Sequence, residues 1–276
     1  MNRVPRSTVA LLVLWLSTTA LAFQRYSQFQ VPPGPNLFQN SDENLDAKHE
    51  FAWSRLQFTP VGGALGRFGA FGFGRGGAWS RDYPKADITF LAALRRLTRV
   101  DARSYQQVVN LGTEDIFNYP FVYAVQVQAW SFTEDEARRL REYLLKGGFL
   151  MVDDFHGTAD WESFLRGMRM VLPADKYPIS DLTDSDEIFH VLYDIGKRFQ
   201  VPGEQYVSTG RTYEKDGYVD KWRAIRDDKG RVIVAICYNM HLGDAWEWAD
   251  SADYPEPFAS MAFRVGIDYV MYSMTH

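Results

Sequence analysis

The chain has 276 residues, of which 46% are hydrophobic and 24% charged, with a formal net charge of −5 and one cysteine. This length is sufficient for one large domain with its own hydrophobic core. The negative charge and the lack of a basic stretch argue against nucleic acid as the main partner. The lone Cys237 excludes an intrachain disulfide.

The first 22 residues, MNRVPRSTVALLVLWLSTTALA, predict a secretory signal peptide. Arg3 and Arg6 precede a short apolar run, and Ala20-Leu21-Ala22 is a small-x-small cleavage pattern. No later run is long and apolar enough to cross a bilayer, so we predict no membrane span after signal removal. A retained N-terminal anchor is the alternative. We expect an exported protein, periplasmic or extracellular, of 254 residues and a net charge of about −7.

The next segments predict an N-terminal arm or linker at residues 23–50 and a single domain over residues 51–276. Prolines, amides and charges without periodicity indicate the arm. The domain begins with a predicted strand, FAWSRLQFTP, and continues into a Gly/Phe-rich loop at residues 62–77. Gly72, Gly74 and Gly77 satisfy G-x-G-x-x-G. The flanks lack the strand and helix of a dinucleotide site, so we predict no nucleotide cofactor.

Helix and strand patterns alternate from Ala86 onwards. The stretch ADITFLAALRRLTRV predicts a helix, and residues 107–112 and 120–130 predict two strands. The inner face of the predicted helix carries Ile88, Leu91, Leu94 and Leu97.

A capping box predicts where the next helix begins, because the Thr133 hydroxyl can cap the helix while Glu136 reaches back. Its inner face carries Ala137, Leu140 and Leu144, and Gly147 ends it. The apolar strand FLMVDD follows after only two glycines.

The second half of the chain predicts a helix at 161–172, an apolar strand at 230–239 that contains Cys237, and a long C-terminal helix at 255–274. All-apolar strands joined through helices are typical of a parallel sheet covered on both faces. The fold class is therefore α/β, with three layers and a mainly parallel sheet between helices.

Three polar groups follow predicted strands, and ligands of open parallel sheets bind at the carboxyl ends of strands. If the strands are parallel neighbours, these groups share one edge of the sheet. The candidate ligand-binding residues are Asp153, Asp154 and His156 after one strand, Asn239, His241, Asp244 and Trp246 after another, and Glu114 after the strand at 107–112.

The chemistry of this edge stays open. The spacing of these residues matches no recognised metal motif, so we predict no metal or other cofactor. No G-x-S-x-G is present, and Cys237 lies in an apolar run that favours burial over nucleophilic catalysis. Asp153 with Asp244 or Glu114 could act as paired carboxylates on a glycosidic bond. Trp246 and Trp248 belong either to the core or to a sugar-stacking surface.

The order of several motifs resembles the bacterial family known as domain of unknown function 4159. They are F-x-x-x-R-L-x-F from Phe51, W-x-x-D-Y-P-x-A-D from Trp79, F-x-Y-P-F-x-Y from Phe117, E-A-R-R-L-R-E-Y-L-x-x-G-G-F-L-x-x-D-D from Glu136, and a late W-E. The resemblance extends from about residue 51 to the end. It implies a class I glutamine amidotransferase-like fold, a flavodoxin-like three-layer sandwich, without implying an activity.

Two departures from that fold family argue against an amidotransferase. The chain has no cysteine on a glycine-flanked elbow, and Ser185-Asp186-Glu187-Ile188 stands where related domains carry D-H-P-I. Our first hypothesis is therefore non-catalytic binding of a small molecule, glycan or protein partner at the strand ends. The alternatives are a hydrolase, metal-assisted or not, that acts on an envelope polymer or amide, and an assembly protein that docks through the Gly/Phe-rich loop.

Overall fold

The structure is a computed structural model that describes residues 48–61 and 77–276. The predicted signal peptide, nearly all of the predicted arm and residues 62–76 of the Gly/Phe-rich loop lie outside the described residues. Within the described ranges, none of the helices combines the length and the apolarity that a bilayer span requires.

The central element is a seven-stranded sheet with the order β3-β1-β4-β6-β9-β8-β7. Its first five strands run parallel, β8 runs antiparallel to β9, and β7 runs antiparallel to β8. This confirms the predicted mainly parallel sheet. A short antiparallel pair, β2 with β5, lies outside it. The strands are β1 (Ser54–Gln57), β2 (Thr59–Pro60), β3 (Gln107–Asn110), β4 (Phe121–Val125), β5 (Trp130–Ser131), β6 (Phe149–Asp153), β7 (Ile179–Asp181), β8 (Lys221–Arg226) and β9 (Val232–Tyr238).

Helices cover both faces of the sheet, so the domain has the three layers that the sequence predicts. The helices are α1 (Lys85–Leu97), α2 (Glu134–Leu145), α3 (Gly157–Val171), α4 (Gln205–Thr209), α5 (Leu242–Glu247) and α6 (Glu256–Thr275). One hydrophobic core joins the sheet to α1, α5 and α6, and a second joins it to α2 and α3.

Strand β6 shows why the central strands are apolar throughout. Phe149 and Met151 point into the core beneath α6, and Leu150 and Val152 point into the core beneath α2 and α3. Because successive side chains of a strand face opposite sides, a strand covered on both faces buries every residue. Cys237 in β9 is buried for the same reason, as predicted.

The helix before β6 begins and ends as its sequence predicts. The Thr133 side chain accepts a hydrogen bond from the Glu136 N–H, and the Glu136 carboxylate accepts one from the Thr133 N–H. Gly147 follows the helix with a φ of 116°, a conformation that glycine adopts without steric cost.

Two sequence predictions are wrong in detail. Leu97 is 53% exposed, because it is the last residue of α1 and the helix buries Phe90, Leu91 and Leu94 instead. Residues 120–130 do not form one strand. Strand β4 ends at Val125, and Gln126 has a φ of 52°, which turns the chain into a 3-10 helix, Val127–Ala129, before β5.

A buried ion pair joins β1 to α1. Arg55 is fully buried, and its Nε lies 3.0 Å from Oδ1 of Asp87, which is also fully buried. The terminal nitrogens of Arg55 also donate to Asp87 Oδ2 and to the backbone carbonyls of Trp79 and Arg81. The Trp53 indole N–H donates to the same carboxylate. The guanidinium therefore fixes the chain segment that leads to residue 82.

We predict that Asp87→Asn lowers the free energy of unfolding by about 3–5 kcal/mol, because it leaves the buried Arg55 charge uncompensated. Urea unfolding measures this change. The matched control is Asp135→Asn, which removes an exposed partner of Arg138 and leaves the midpoint unchanged. Equal stability of the two variants would contradict the proposed importance of the buried pair.

A second buried carboxyl group holds α6 against the segment after the 3-10 helix Glu187–Phe189. Asp268 Oδ1 accepts the N–H groups of Leu192 and Tyr193 at 3.1 and 2.9 Å. Among the described residues, its Oδ2 has no hydrogen-bond partner. Burial raises the pKa of Asp268 to about 6. Because this folded-state pKa lies above the usual value, the protonated form stabilises the fold, and that contribution is lost as the pH rises through about 6.

We predict that Asp268→Asn, which is neutral at every pH, gains stability relative to the native chain as the pH rises from 4 to 7. The expected relative gain is on the order of 1 kcal/mol. Urea unfolding at several pH values checks it. A constant difference between the two proteins across this range would show that Asp268 does not titrate there.

Candidate functional site

Seven polar side chains meet where β4, β6 and β9 end. One is the last residue of β6, two lie just after that strand, and two follow β9; the remaining two come from the loops before α1 and before β8. We call this group the rim cluster: Asp82, Asp153, Asp154, His156, Glu214, His241 and Asp244.

Asp154 lies at the centre of the rim cluster. Its backbone has a φ of 55°, which Asp tolerates better than most residues. The Gln126 side-chain amide donates to Asp154 Oδ2. The same oxygen is 3.3 Å from His241 Nε2, and Oδ1 is 3.3 Å from His156 Nε2. The two carboxylate oxygens therefore face two different imidazoles.

Both ring nitrogens of His241 face carboxylates. Its Nε2 is 2.7 Å from Asp82 Oδ2, and its Nδ1 is 3.2 Å from Asp244 Oδ2. Burial opposes protonation of His241, but the negative charges of Asp154, Asp244 and Asp82 outweigh it and raise the pKa well above its usual value. In the absence of another cation, the imidazolium is thus the main positive charge within the cluster.

Asp82 reaches the cluster from the segment that Arg55 fixes. Its φ is 61°, and its side chain is almost completely buried. Arg81 Nε lies 3.5 Å from Asp82 Oδ1. Burial opposes ionisation of Asp82, yet the adjacent His241 holds the pKa below its usual value. Asp82 is therefore ionised in the cluster.

Two other carboxyl groups have pKa values that are raised. Burial raises the pKa of Asp153 to about 6 and that of Asp244 to about 7, and in both cases His241 opposes the shift. Asp153 Oδ2 accepts the Tyr123 hydroxyl and the Gly243 N–H, while Oδ1 has no partner among the described residues. Burial is the main cause of both shifts, and the negative charge of Asp154 adds to each of them.

Glu214 enters the cluster from a loop that is anchored on α3. Its Oε1 lies 3.7 Å from His156 Nε2. The next two residues bind α3: Lys215 donates to Asp160, and Asp216 accepts the N–H and the hydroxyl of Thr158. The anchoring contacts hold Glu214 beside His156.

An open cleft of about 330 Å³ reaches one side of the rim cluster. Two cluster carboxylates, Asp82 and Asp244, form part of its wall, so solvent and small molecules have access to them. Its other lining residues are Arg81, Tyr83, Glu204, Glu247 and Trp248.

Comparison with known families identifies the chain. Residues 67–274 match the family model described as "Domain of unknown function (DUF4159)". The chain belongs to this family. A comparison with curated proteins finds no match. The matched residues begin after β1, so the motif at Phe51–Phe58 lies outside them, whereas the Trp79–Asp87 motif and all seven rim-cluster residues lie inside.

Five of the eight predicted ligand-binding residues converge as expected: Asp153, Asp154, His156, His241 and Asp244. Asn239 lies beside them, but its side chain accepts the Gly157 N–H at 2.8 Å and donates to the Val219 carbonyl at 2.7 Å. Both ends of this amide are occupied by backbone, so Asn239 holds the loop rather than presenting a free group.

Trp246 and Glu114 are not at the rim. Trp246 is fully buried, and its ring lies 5.7 Å from that of Trp53 and 4.6 Å from that of Phe90. Glu114 pairs with Arg139 at 3.2 Å and lines a cleft with the two glycines that precede β6. The prediction that all three groups share one edge is therefore wrong for Glu114. After β3 the chain turns back before it reaches Glu114, so Glu114 lies at the opposite end of the sheet.

Asp82 and Glu214 are cluster members that the sequence analysis did not select. Asp82 is the first aspartate of the W-x-x-D-Y-P-x-A-D motif, and this motif is the sequence feature that could have identified it. Glu214 lies in the polar stretch RTYEKDGYVD, where no pattern distinguishes it from exposed neighbours.

The rim cluster offers two ligand sets for a metal ion. Ligand atoms of Asp82, His241 and Asp244 lie within 4.8 Å of one another, and so do those of Asp154, His156 and Glu214. Carboxylate and imidazole groups are suitable ligands for zinc, manganese and iron. Sequence spacing does not reveal these sets because each combines residues that are distant along the chain.

Gly203 permits the close packing around His241. A methyl group at this position would lie 2.6 Å from Asp244 Oδ2 and 2.8 Å from His241 Nδ1. Both distances are shorter than van der Waals contact, so any larger residue would displace the two side chains.

We predict that Gly203→Ala destabilises the fold by about 1–3 kcal/mol through overpacking. Urea unfolding measures the loss. Gly196→Ala is the control, because a methyl group there meets nothing within 4 Å. The same midpoint for both variants would refute close packing at Gly203.

Proposed function

We propose that the chain is a metal-dependent hydrolase, with a divalent ion bound by Asp82, His241 and Asp244. One observation carries the proposal: ligand atoms of Asp82, His241 and Asp244 lie within 4.8 Å of one another, and the two carboxylates line an open cleft. The ligand atoms come from two segments that are distant along the chain, the loop before α1 and the residues after β9, and the fold brings them together at the ends of parallel strands. In such sheets this edge is where ligands bind.

The electrostatics of the cluster support a bound cation. Three buried carboxyl groups surround His241. A divalent ion bound by the neutral imidazole would replace the proton of His241 as the positive charge that balances them. Buried charges are otherwise paired or coordinated to metal, since an isolated ion is costly to bury. Burial is the main cause of the raised pKa values of Asp153 and Asp244, and neighbouring carboxylates contribute to both.

Access from the cleft favours catalysis over a purely structural ion, because a catalytic ion keeps one position open for water. An ion in such a site lowers the pKa of its bound water and so supplies a nucleophile. Glu204 and Glu247 also line the cleft and are candidates for accepting a proton.

Non-catalytic binding of a small molecule, glycan or protein partner is the second candidate. The observation that favours it is Trp248, which lines the cleft and is 36% exposed. An exposed indole beside carboxylates offers a stacking surface for a sugar ring. Both candidates use the same cleft, and turnover distinguishes them.

We propose that the fold is flavodoxin-like, as in class I glutamine amidotransferase-like domains. The parallel strands β3-β1-β4-β6-β9, renumbered by their order along the chain, give 2-1-3-4-5, which supports this assignment. We also propose that the protein is exported, which the signal-like pattern of residues 1–22 supports.

We expect chelator-treated protein to bind Zn²⁺ or Mn²⁺ with micromolar or tighter affinity in calorimetry and to gain thermal stability. Asp244→Asn should weaken binding at least tenfold, because it removes one anionic ligand. The control Glu114→Gln, an acidic residue at the other end of the sheet, should bind as the native chain does. Absence of metal binding by the native chain would refute the proposal.

A panel of chromogenic phosphate esters, carboxylic esters, anilides and glycosides tests for hydrolysis. We expect metal-dependent turnover of one class, reduced at least a hundredfold in Asp244→Asn and unchanged in Glu114→Gln. Metal binding without turnover of any class, together with sugar binding that Trp248→Ala abolishes, would favour the non-catalytic alternative.

A further inference from the structure

The second ligand set of the rim cluster, Asp154, His156 and Glu214, contains a distance that no hydrogen bond explains. His156 Nε2 lies 3.7 Å from Glu214 Oε1 and 3.3 Å from Asp154 Oδ1. Two donor atoms that each lie about 2.1 Å from one tetrahedral ion are about 3.4 Å apart. The 3.7 Å separation between His156 Nε2 and Glu214 Oε1 exceeds normal hydrogen-bond length. Both separations suit ligands that share an ion.

His156 gives independent support. Its side chain is 3% exposed, and its Nδ1 has no hydrogen-bond partner in the part of the chain that the structure describes. Nδ1 is not the nitrogen that faces the carboxylates, so the support for a cation comes from Nε2. Nε2, the other nitrogen, faces only carboxylate oxygens, Asp154 Oδ1 and Glu214 Oε1. A cation between His156, Asp154 and Glu214 would bind His156 through Nε2.

We infer that the rim cluster holds two divalent cations, with Asp154 as the carboxylate that bridges them. The inference rests on the proposed function, since it adds a second ion beside the one that Asp82, His241 and Asp244 bind. Asp154 has one oxygen 3.3 Å from His241 and the other 3.3 Å from His156. Each oxygen thus belongs to a different ligand set.

The distance between the two imidazoles fits a pair of ions. The ring centroids of His156 and His241 are 6.4 Å apart, and one carboxylate lies between them. Two-metal hydrolytic sites separate their ions by about 3.5–4 Å. An ion about 2.1 Å from a ring nitrogen lies about 3.2 Å from the ring centroid, so the two ions would reach that separation if the two nitrogens point past each other and not directly at each other. Glu214, on the loop anchored to α3, would close the second site from the protein surface.

The number of bound ions tests the inference. Metal-free full-length protein is dialysed against excess Mn²⁺ or Zn²⁺, and the bound metal is measured by elemental analysis. We expect two ions per native chain and one per Glu214→Gln chain, whose first-site affinity changes less than threefold. Glu204→Gln, which alters an acidic residue of the adjacent cleft, is the matched control and should keep two ions.

Spectroscopy tests the bridge. Electron paramagnetic resonance of the Mn²⁺-loaded native chain should show magnetic coupling between two ions, and Asp154→Asn should lose it. Circular dichroism verifies that each variant is folded. Two uncoupled ions, or two ions that persist in Glu214→Gln, would overturn the assigned site. A single bound ion in the native chain would overturn this inference while leaving the proposed function intact, and no bound ion would refute both.

Discussion

The rest of the structure depends on the buried pair of Arg55 and Asp87. A guanidinium without access to water must have its charge and its donors satisfied by the protein. Here one carboxylate balances the charge, and two backbone carbonyls, those of Trp79 and Arg81, accept further hydrogen bonds. These bonds tie β1 to α1 and to the chain between them. Tyr123 adds its ring face, 4.9 Å from the guanidinium carbon.

The same pair determines the position of the candidate site. Asp82 follows directly after the carbonyl that Arg55 holds, and its positive φ directs the side chain to His241. The remaining cluster members come from the ends of β6 and β9 and from the anchored loop before β8. Rigid neighbours thus hold several carboxyl groups closer together than their mutual repulsion favours. The carboxylates of the rim cluster therefore repel one another, and a metal ion would neutralise their negative charge.

Apolar runs and helix signals were sufficient to predict the central part of the fold. FLMVDD and GRVIVAICYN are strands that lie next to each other, and the capping box at Thr133 begins α2. Strand β8, KWRAIR, was missed because a strand near the antiparallel edge carries three charged residues and has no apolar run.

Asp153 and His241 could be selected because each lies at or after the end of an apolar strand. Asp82 was not selected although it belongs to the W-x-x-D-Y-P-x-A-D motif, because only tertiary contacts bring that loop to the cluster. Glu214 has no such motif, and Glu114 was misplaced because a short connection reverses the chain after β3.

Anomalous diffraction from crystals grown with Zn²⁺ or Mn²⁺ is the most direct test of a metal centre in the rim cluster. We expect an anomalous peak within about 2–2.3 Å of ligand atoms from Asp82, His241 and Asp244. At saturating metal, direct hydrogen bonds from His241 to Asp82 and Asp244, with no anomalous peak in the cluster, would contradict it. The carboxylates would then be balanced by the imidazolium alone.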